Sequence, residues 1–239
     1  MGSLIDIHCH ILPGVDDGPK SHEESLEMLS IAQSDGISVI VATPHFKDGA
    51  CFRSLDELAR TIDQLQKKVD VPHIHLGADV EISRGLIEGL KKGVIPLINN
   101  GRYLLLELLA FSIPPLEYLS NLFFELRHMN ILPVITHPER NAIFLDNILL
   151  LEKIVRAGAY LQVTAMSITG EFGSGIREFT RKLFKRGLVH VVATDAHDSK
   201  KRPPILSGAY EHIRKSFGDD VAKEVFMVNP QKMVNGDDI

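Results

Sequence analysis

The sequence has no tryptophan, and only 6% of its 239 residues are aromatic. So few flat side chains leave little for bases to stack on. The formal net charge of -5 supplies no basic stripe to follow a phosphate backbone. No nucleic-acid partner is therefore expected. Cysteine is equally scarce: Cys9 and Cys51 are too few for a disulfide framework, which favours a reducing compartment. Apolar runs are interrupted by charge and fall short of the roughly 20 residues that span a bilayer, so no membrane insertion is expected. The chain enters a strand almost at once, without the charged and apolar regions of a signal peptide. Together these absences predict a cytoplasmic protein.

What is present is a core and many histidines. Hydrophobic residues make up 44% of the chain, enough for one sizeable α/β unit, and there are 11 histidines. Strand-like runs near 4–10, 37–43, 73–79, 103–109, 131–137, 159–164 and 189–195 alternate with helical stretches. The helices are expected near 21–35, 54–69, 84–92, 115–129, 146–157, 174–187, 203–217 and 219–226. Ser21 with Glu24 and Ser54 with Glu57 are capping boxes, while Gly36, Gly158 and Gly187 mark helix ends. Such alternation implies parallel strands joined by crossover helices. No linker or low-complexity segment divides the chain, so residues 1–239 are expected to form a single domain.

The strand ends carry the chemistry. His8 and His10 lie two apart in Asp-Ile-His-Cys-His and share a strand face, whereas Cys9 faces the opposite way, into packing. Later runs end in His45, Asp79, Glu107, His137 and the Asp195-Ala-His197 pair. A doubly wound sheet gathers function at one switch point, whereas ligands on nearly every strand require strand ends set in a ring. The expected fold is a distorted, seven-stranded TIM-like (β/α) barrel. In the loop Gly14–Pro19 one carboxylate is expected to reach the site, with Asp17 favoured over Asp16. Asp79 and Glu81 share a face, and either qualifies as the third-strand ligand. Glu107 interrupts a leucine run, where a carboxylate is costly unless paired with a cation. His22, His73, His75, His128, His190 and His212 read as structural or surface residues.

Imidazole and carboxylate donors without thiolate suit manganese, iron or zinc. So many donors need about two or three ions, which lower the pKa of a shared water and stabilise an in-line displacement at phosphorus. Arg140 and Arg202 each follow a ligand-bearing strand and are suited to a bidentate grip on phosphate. A phosphate ester is the expected substrate.

The motifs Asp-Ile-His-Cys-His (6–10), Asp-Asp-Gly-Pro-Lys-Ser (16–21), Ala-Thr-Pro-His (42–45), His-Pro-Glu-Arg (137–140), Thr-Asp-Ala-His (194–197) and Arg-Pro-Pro (202–204) resemble those of the PHP (polymerase and histidinol phosphatase) superfamily. More narrowly, the chain resembles the superfamily's bacterial protein-tyrosine phosphatases of capsular and exopolysaccharide loci. The resemblance runs the whole length, with the motifs in family order. It implies one metal on His8, His10 and Asp195, bridged by a third-strand acid to a second on Glu107 and His137. A third would lie on Asp17, His45 and His197. It further implies Arg140 and Arg202 as phosphate-handling residues, manganese dependence, and a partner tyrosine kinase with a tyrosine-rich tail. The chain departs from the family's Gly-x-Glu at Gly77-Ala78-Asp79. Cysteine-based phosphatases need C-x5-R, but the sixth residue after Cys9 is Val15 and after Cys51 is Glu57. Attack by a metal-bound hydroxide is expected instead. The alternative reading is a histidinol-phosphate phosphatase or another small-molecule phosphomonoesterase of the same fold.

Overall fold

The computed structural model describes residues 3–48, 50–51 and 53–239. Its elements run β1 (Leu4–Cys9), α1 (His22–Asp35), β2 (Ile37–Ala42), β3 (His45–Phe46), α2 (Leu55–Gln66), β4 (His73–Leu76), β5 (Asp79–Glu81), α3 (Leu86–Lys91), β6 (Tyr103–Glu107) and α4 (Leu116–His128). The second half contains β7 (Leu132–Thr136), α5 (Ala142–Asp146), α6 (Ile148–Arg156), β8 (Tyr160–Thr164), α7 (Ala165–Thr169), α8 (Ser174–Lys185), β9 (Val191–Ala193), α9 (Ser207–Phe217), α10 (Asp219–Lys223) and α11 (Asn229–Asn235).

All strand pairs are parallel, in a three-stranded sheet β1-β2-β4 and a six-stranded sheet β3-β5-β6-β7-β8-β9. The two sheets are continuous. β3 and β5 prolong β2 and β4 beyond short breaks, across which Gly77 N donates to Ala42 O (2.9 Å) and Asp79 N to Pro44 O (3.1 Å). The ring closes between β1 and the residues after β9, where Asp195 N donates to His8 O (2.8 Å) and His10 N to Ala196 O (2.9 Å). This is the distorted seven-position barrel expected from the ligand pattern, with two strands interrupted.

Each break has a local cause. Pro44 has no N–H to donate, so the second strand stops at Ala42 and resumes at His45. Gly77 sits where strands crowd: a Cβ there would lie 2.8 Å from Val41 Cγ1. The helix expected over 146–157 is α6, which starts only at Ile148 because Asn147 leaves helical φ/ψ and caps it through Leu149 N (3.2 Å). The short α5 and α7 and the final α11 have no counterpart among the helices expected from the sequence. Ser21 and Ser54 do cap α1 and α2, and Gly36 ends α1 in the left-handed region.

The main core lies between strands and helices, and includes Cys9, Leu29, Leu104, Phe123, Leu161 and Phe226. A second cluster joins Ile5, Ile7, Tyr103, Leu105 and Val134 to Met233 and Val234 of α11. In a regular strand Ile5, Ile7 and Cys9 would share one face. They do not, because the register of β1 against β2 slips between Asp6 and Cys9. Such slips re-aim side chains beside functional sites, and this one lies at His8.

Candidate metal centre

The C-terminal ends of the strands bring all nine expected ligand residues to one end of the ring. Three groups of closely spaced donor atoms form there: His8, His10 and Asp195; His45, Asp79 and Glu107; and His10, Asp17, His45 and His197. His10 and His45 each belong to two groups, so the groups are parts of one cluster. The grouping differs from the family-derived one at two points. His45 lies with Asp79 and Glu107, where the resemblance implies His137, and His10 also faces the third group. His137 remains adjacent, its Nε2 3.7 Å from Glu107 Oε1. Glu81, the alternative to Asp79, joins none of these groups among the described residues.

The imidazoles are aimed by their second nitrogens. His8 Nδ1 donates to Gln162 Oε1 (2.8 Å), His10 Nδ1 to Asp16 Oδ2 (2.7 Å) and His197 Nδ1 to the Asp195 carbonyl (2.9 Å). In each ring the partner engages Nδ1 and turns Nε2 towards the cluster, where a metal ion would take the place of any proton on Nε2. The Nε2 atoms of His8 and His10 lie 3.3 Å apart. Asp195 Oδ1 lies 3.5 Å from each of them and 3.6 Å from His197 Nδ1. Asp79 Oδ2 lies 3.6 Å from His8 Nε2 and 3.3 Å from His45 Nδ1.

Local backbone supports this convergence. His137 (φ 34°) and Asp195 (φ 53°) both take left-handed conformations at the ends of their strands, a strain that clusters at functional sites. Gly18 lets the acidic loop close onto β1, since a Cβ there would lie 2.6 Å from the His10 carbonyl oxygen. Closure puts Asp16 where it also accepts from Gly18 N (2.9 Å) and His45 N (3.0 Å). Asp17, more exposed, faces His45 and His197 Nε2 at 3.4 Å each.

The electrostatics suit a cation. Burial opposes charge on Asp195 and Asp79, yet the neighbouring imidazoles, His8 foremost, hold both well below the usual carboxylate range. Burial likewise opposes protonation of His10, but Asp16 and Asp195 outweigh it and raise the ring to about 10. His137 is lowered to about 3 by burial and the nearby Arg140, and His197 to about 4 by burial and His10. Burial, followed by the charge of Asp79, raises Glu107. Two buried atoms that face each other, His45 Nδ1 and Asp79 Oδ2, have no hydrogen-bond partner among the described residues. Metal ions fit these residues: imidazole nitrogens and carboxylate oxygens converge, with no thiolate among them.

Arg140 and Arg202 converge on the same carboxylate. Each places Nη2 2.6 Å from Asp195 Oδ2, and Arg202 Nη2 also donates to the Asp195 carbonyl (2.8 Å). The Arg140 guanidinium lies over the Phe172 ring, 5.2 Å from its centroid.

Four supporting residues are not among the expected ligands: Asp16, the less favoured carboxylate of its loop, and Gln162, Asp6 and Glu139. Asp16 and Gln162 orient ligand rings, as above. Asp6, whose carboxyl burial raises to about 6, accepts from Thr194 N (2.9 Å) and Thr194 Oγ1 (2.5 Å), buckling β1 to β9. Glu139 is fully buried and accepts from Thr164 N (2.8 Å), Thr164 Oγ1 (2.9 Å) and Ser167 Oγ (2.7 Å). It pins the His137–Arg140 turn to the start of α7. Cys9 is buried in the main core, where burial pushes its thiol well up, so it is no thiolate ligand.

The family model for capsular polysaccharide synthesis proteins of the CpsB/CapC type matches residues 4–235. The chain belongs to the CpsB/CapC family. Within it, a tyrosine-protein phosphatase, YwqE of Bacillus subtilis, is 36% identical over 222 residues, covering 91% of this chain and 87% of the relative. A crystal structure from work on YwqE and on CpsB of Streptococcus pneumoniae, described as metal-dependent tyrosine phosphatases, superposes with a TM-score of 0.93. It is 34% identical and covers 99% of this chain and 96% of its own. A histidinol phosphate phosphatase of Lactococcus lactis, crystallised with zinc, L-histidinol and phosphate, superposes at a TM-score of 0.60. With 16% identity, covering 92% of this chain and 94% of its own, that likeness shows the fold alone. The CpsB/CapC relationship thus favours the phosphotyrosine reading over the histidinol-phosphate one. Among the described residues no helix is long and apolar enough to cross a membrane.

Proposed function

We propose that this CpsB/CapC chain is a metal-dependent protein-tyrosine phosphatase, acting as one catalytic unit over residues 1–239 in the cytoplasm. Its substrate is a phosphotyrosyl protein, in keeping with the tyrosine kinase tail that the family resemblance implies. The metal is manganese, with iron and zinc as chemically compatible occupants. The ligands are His8, His10, Asp17, His45, Asp79, Glu107, His137, Asp195 and His197, and the phosphate-handling residues are Arg140 and Arg202. When bound, the ions supply an activated water and neutralise charge that develops on the phosphoryl group.

The observation that carries this reading is the double engagement of Asp195. One of its oxygens faces three imidazoles and the other accepts from two guanidiniums at 2.6 Å. The donor cluster and the arginines are therefore parts of one site, and cations beside paired guanidiniums select a phosphate dianion. Phe172 and the Glu139 turn orient Arg140; the Asp195 carbonyl orients Arg202. Tyrosinate leaves with a pKa of roughly 10, so the residues have no strong general acid to supply. Cys9 is buried beneath the site and takes no part as nucleophile.

Substrate choice tests the reading. With manganese present, turnover of a phosphotyrosyl peptide is expected to exceed that of histidinol phosphate. The opposite preference would assign the site to the small-molecule alternative.

A further inference from the structure

A cavity of about 350 Å³ opens at the metal centre, between the acidic loop and the segment that follows β3. Two of its lining residues, Asp17 and His45, belong to one donor group. Val15, Ala50 and Cys51 add an apolar lining, and Lys47 adds a cation. The metal centre accounts for the donors but not for the apolar lining beside them. That lining is anchored. Val15 belongs to the main core, and half-buried Cys51 packs against it. Lys47 and Ala50 are tied by reciprocal backbone bonds, Lys47 N to Ala50 O (2.9 Å) and Ala50 N to Lys47 O (3.0 Å). Asp16 also lines the cavity, but its carboxylate is engaged inward by His10, His45 N and Gly18 N. The Lys47 ammonium makes no ion pair among the described residues.

We propose that this cavity receives the aromatic ring of the phosphotyrosine, with Val15, Ala50 and Cys51 as its apolar lining and Lys47 against the ring. The inference rests on the phosphatase reading above and assigns the residues that recognise an aryl phosphate. Position argues for this occupant. The cavity is one imidazole away from the carboxylate that holds both arginines. His197 spans that gap, with Nε2 3.4 Å from Asp17 Oδ1 and Nδ1 3.6 Å from Asp195 Oδ1. The other oxygen of Asp195 accepts from Arg140 and Arg202. A phosphoryl group at the arginines and donors therefore has an apolar recess beside it for the group it is attached to. Size and chemistry agree. Recesses of this volume, largely apolar with a few polar groups, suit a small organic group. A phenyl ring covers such a lining and offers its face to an ammonium, whereas the single methylene of a phosphoserine leaves the lining bare.

The test compares the manganese-loaded protein with its Ala50→Trp and Lys47→Gln variants, the first filling the cavity and the second removing its cation. Both positions are exposed, so both variants are expected to fold. Three probes are used: a phosphotyrosyl peptide, p-nitrophenyl phosphate, which carries a ring without a peptide, and inorganic phosphate as a competitive inhibitor without a ring. KM for both ring-bearing substrates is expected to rise about tenfold in Ala50→Trp. It should rise about threefold in Lys47→Gln. The Ki of inorganic phosphate should stay the same in both, since the phosphate grip is left in place. KM values that do not change in either variant overturn the inference. So does a Ki that rises in step with KM, because the damage then lies in the phosphate grip. A rise confined to the peptide assigns the cavity to residues flanking the phosphotyrosine and also overturns the inference. Should Ala50→Trp not fold, Lys47→Gln decides by the same readings. These failures leave the phosphatase reading standing. Absence of turnover of both substrates by the unaltered protein overturns that reading and this inference together.

Discussion

At Asp195 a single carboxylate balances two sets of partners, so neutralising it disturbs both the imidazole cluster and the two arginines. Asp195→Asn keeps the side-chain shape and tolerates the left-handed φ of 53°. It is expected to fold while losing more than about 100-fold in p-nitrophenyl phosphate turnover, with lower metal content on elemental analysis. Asp16 acts one layer out, through the His10 ring and the His45 amide. Asp16→Ala should weaken metal binding by about 10- to 100-fold, read by metal titration. At this scale the candidate ligands were legible because each ends an apolar run, where a polar side chain needs a reason. Gln162 was not, since its partner His8 is 154 positions away and nothing local marks it. Asp16 was passed over for Asp17, because adjacent carboxylates in a turn look alike until the loop closes over Gly18.

The elements followed the period of the hydrophobic pattern, and departures from it trace to backbone chemistry that the pattern does not carry. Pro44 and Gly77 split two strands, and the slip in β1 moves Cys9 away from Ile5 and Ile7. α11 was hidden by Pro230, which reads as a breaker but here occupies the first turn, where its missing N–H costs nothing. β9 offers a test of strand-level energetics. His190, just before it, accepts the Leu161 N–H on Nδ1 (3.0 Å), which requires a neutral ring, and burial lowers it below the ordinary 6.5. Between 6.5 and the lowered value the unfolded chain takes up a proton that the folded chain does not. Stability from this residue is therefore present above 6.5 and lost as the pH falls through that window. His190→Asn, which can accept the same bond without titrating, should flatten that part of the curve in urea unfolding between about pH 7 and about pH 5. An unchanged slope would contradict the burial argument.

For the whole molecule, the ring of parallel strands explains why ligands scattered from His8 to His197 meet at all. No local motif brings them together. Closure between β1 and β9 does, through the Asp195–His8 and His10–Ala196 backbone bonds and the Asp6–Thr194 buckle. The recurrence of ligands at strand ends made the barrel legible, whereas the sharing of His10 and His45 between donor groups depends on strand tilt and loop closure. The central claim is that this shared cluster holds catalytic metal ions acting on phosphotyrosine. The most direct measurement is elemental analysis of protein purified without chelator, paired with phosphotyrosyl-peptide turnover before chelation, after it, and after manganese is returned. The account predicts at least about two ions per chain, activity lost with the metal, and activity restored by manganese. Protein that carries no metal, or turnover that survives its removal, would contradict it.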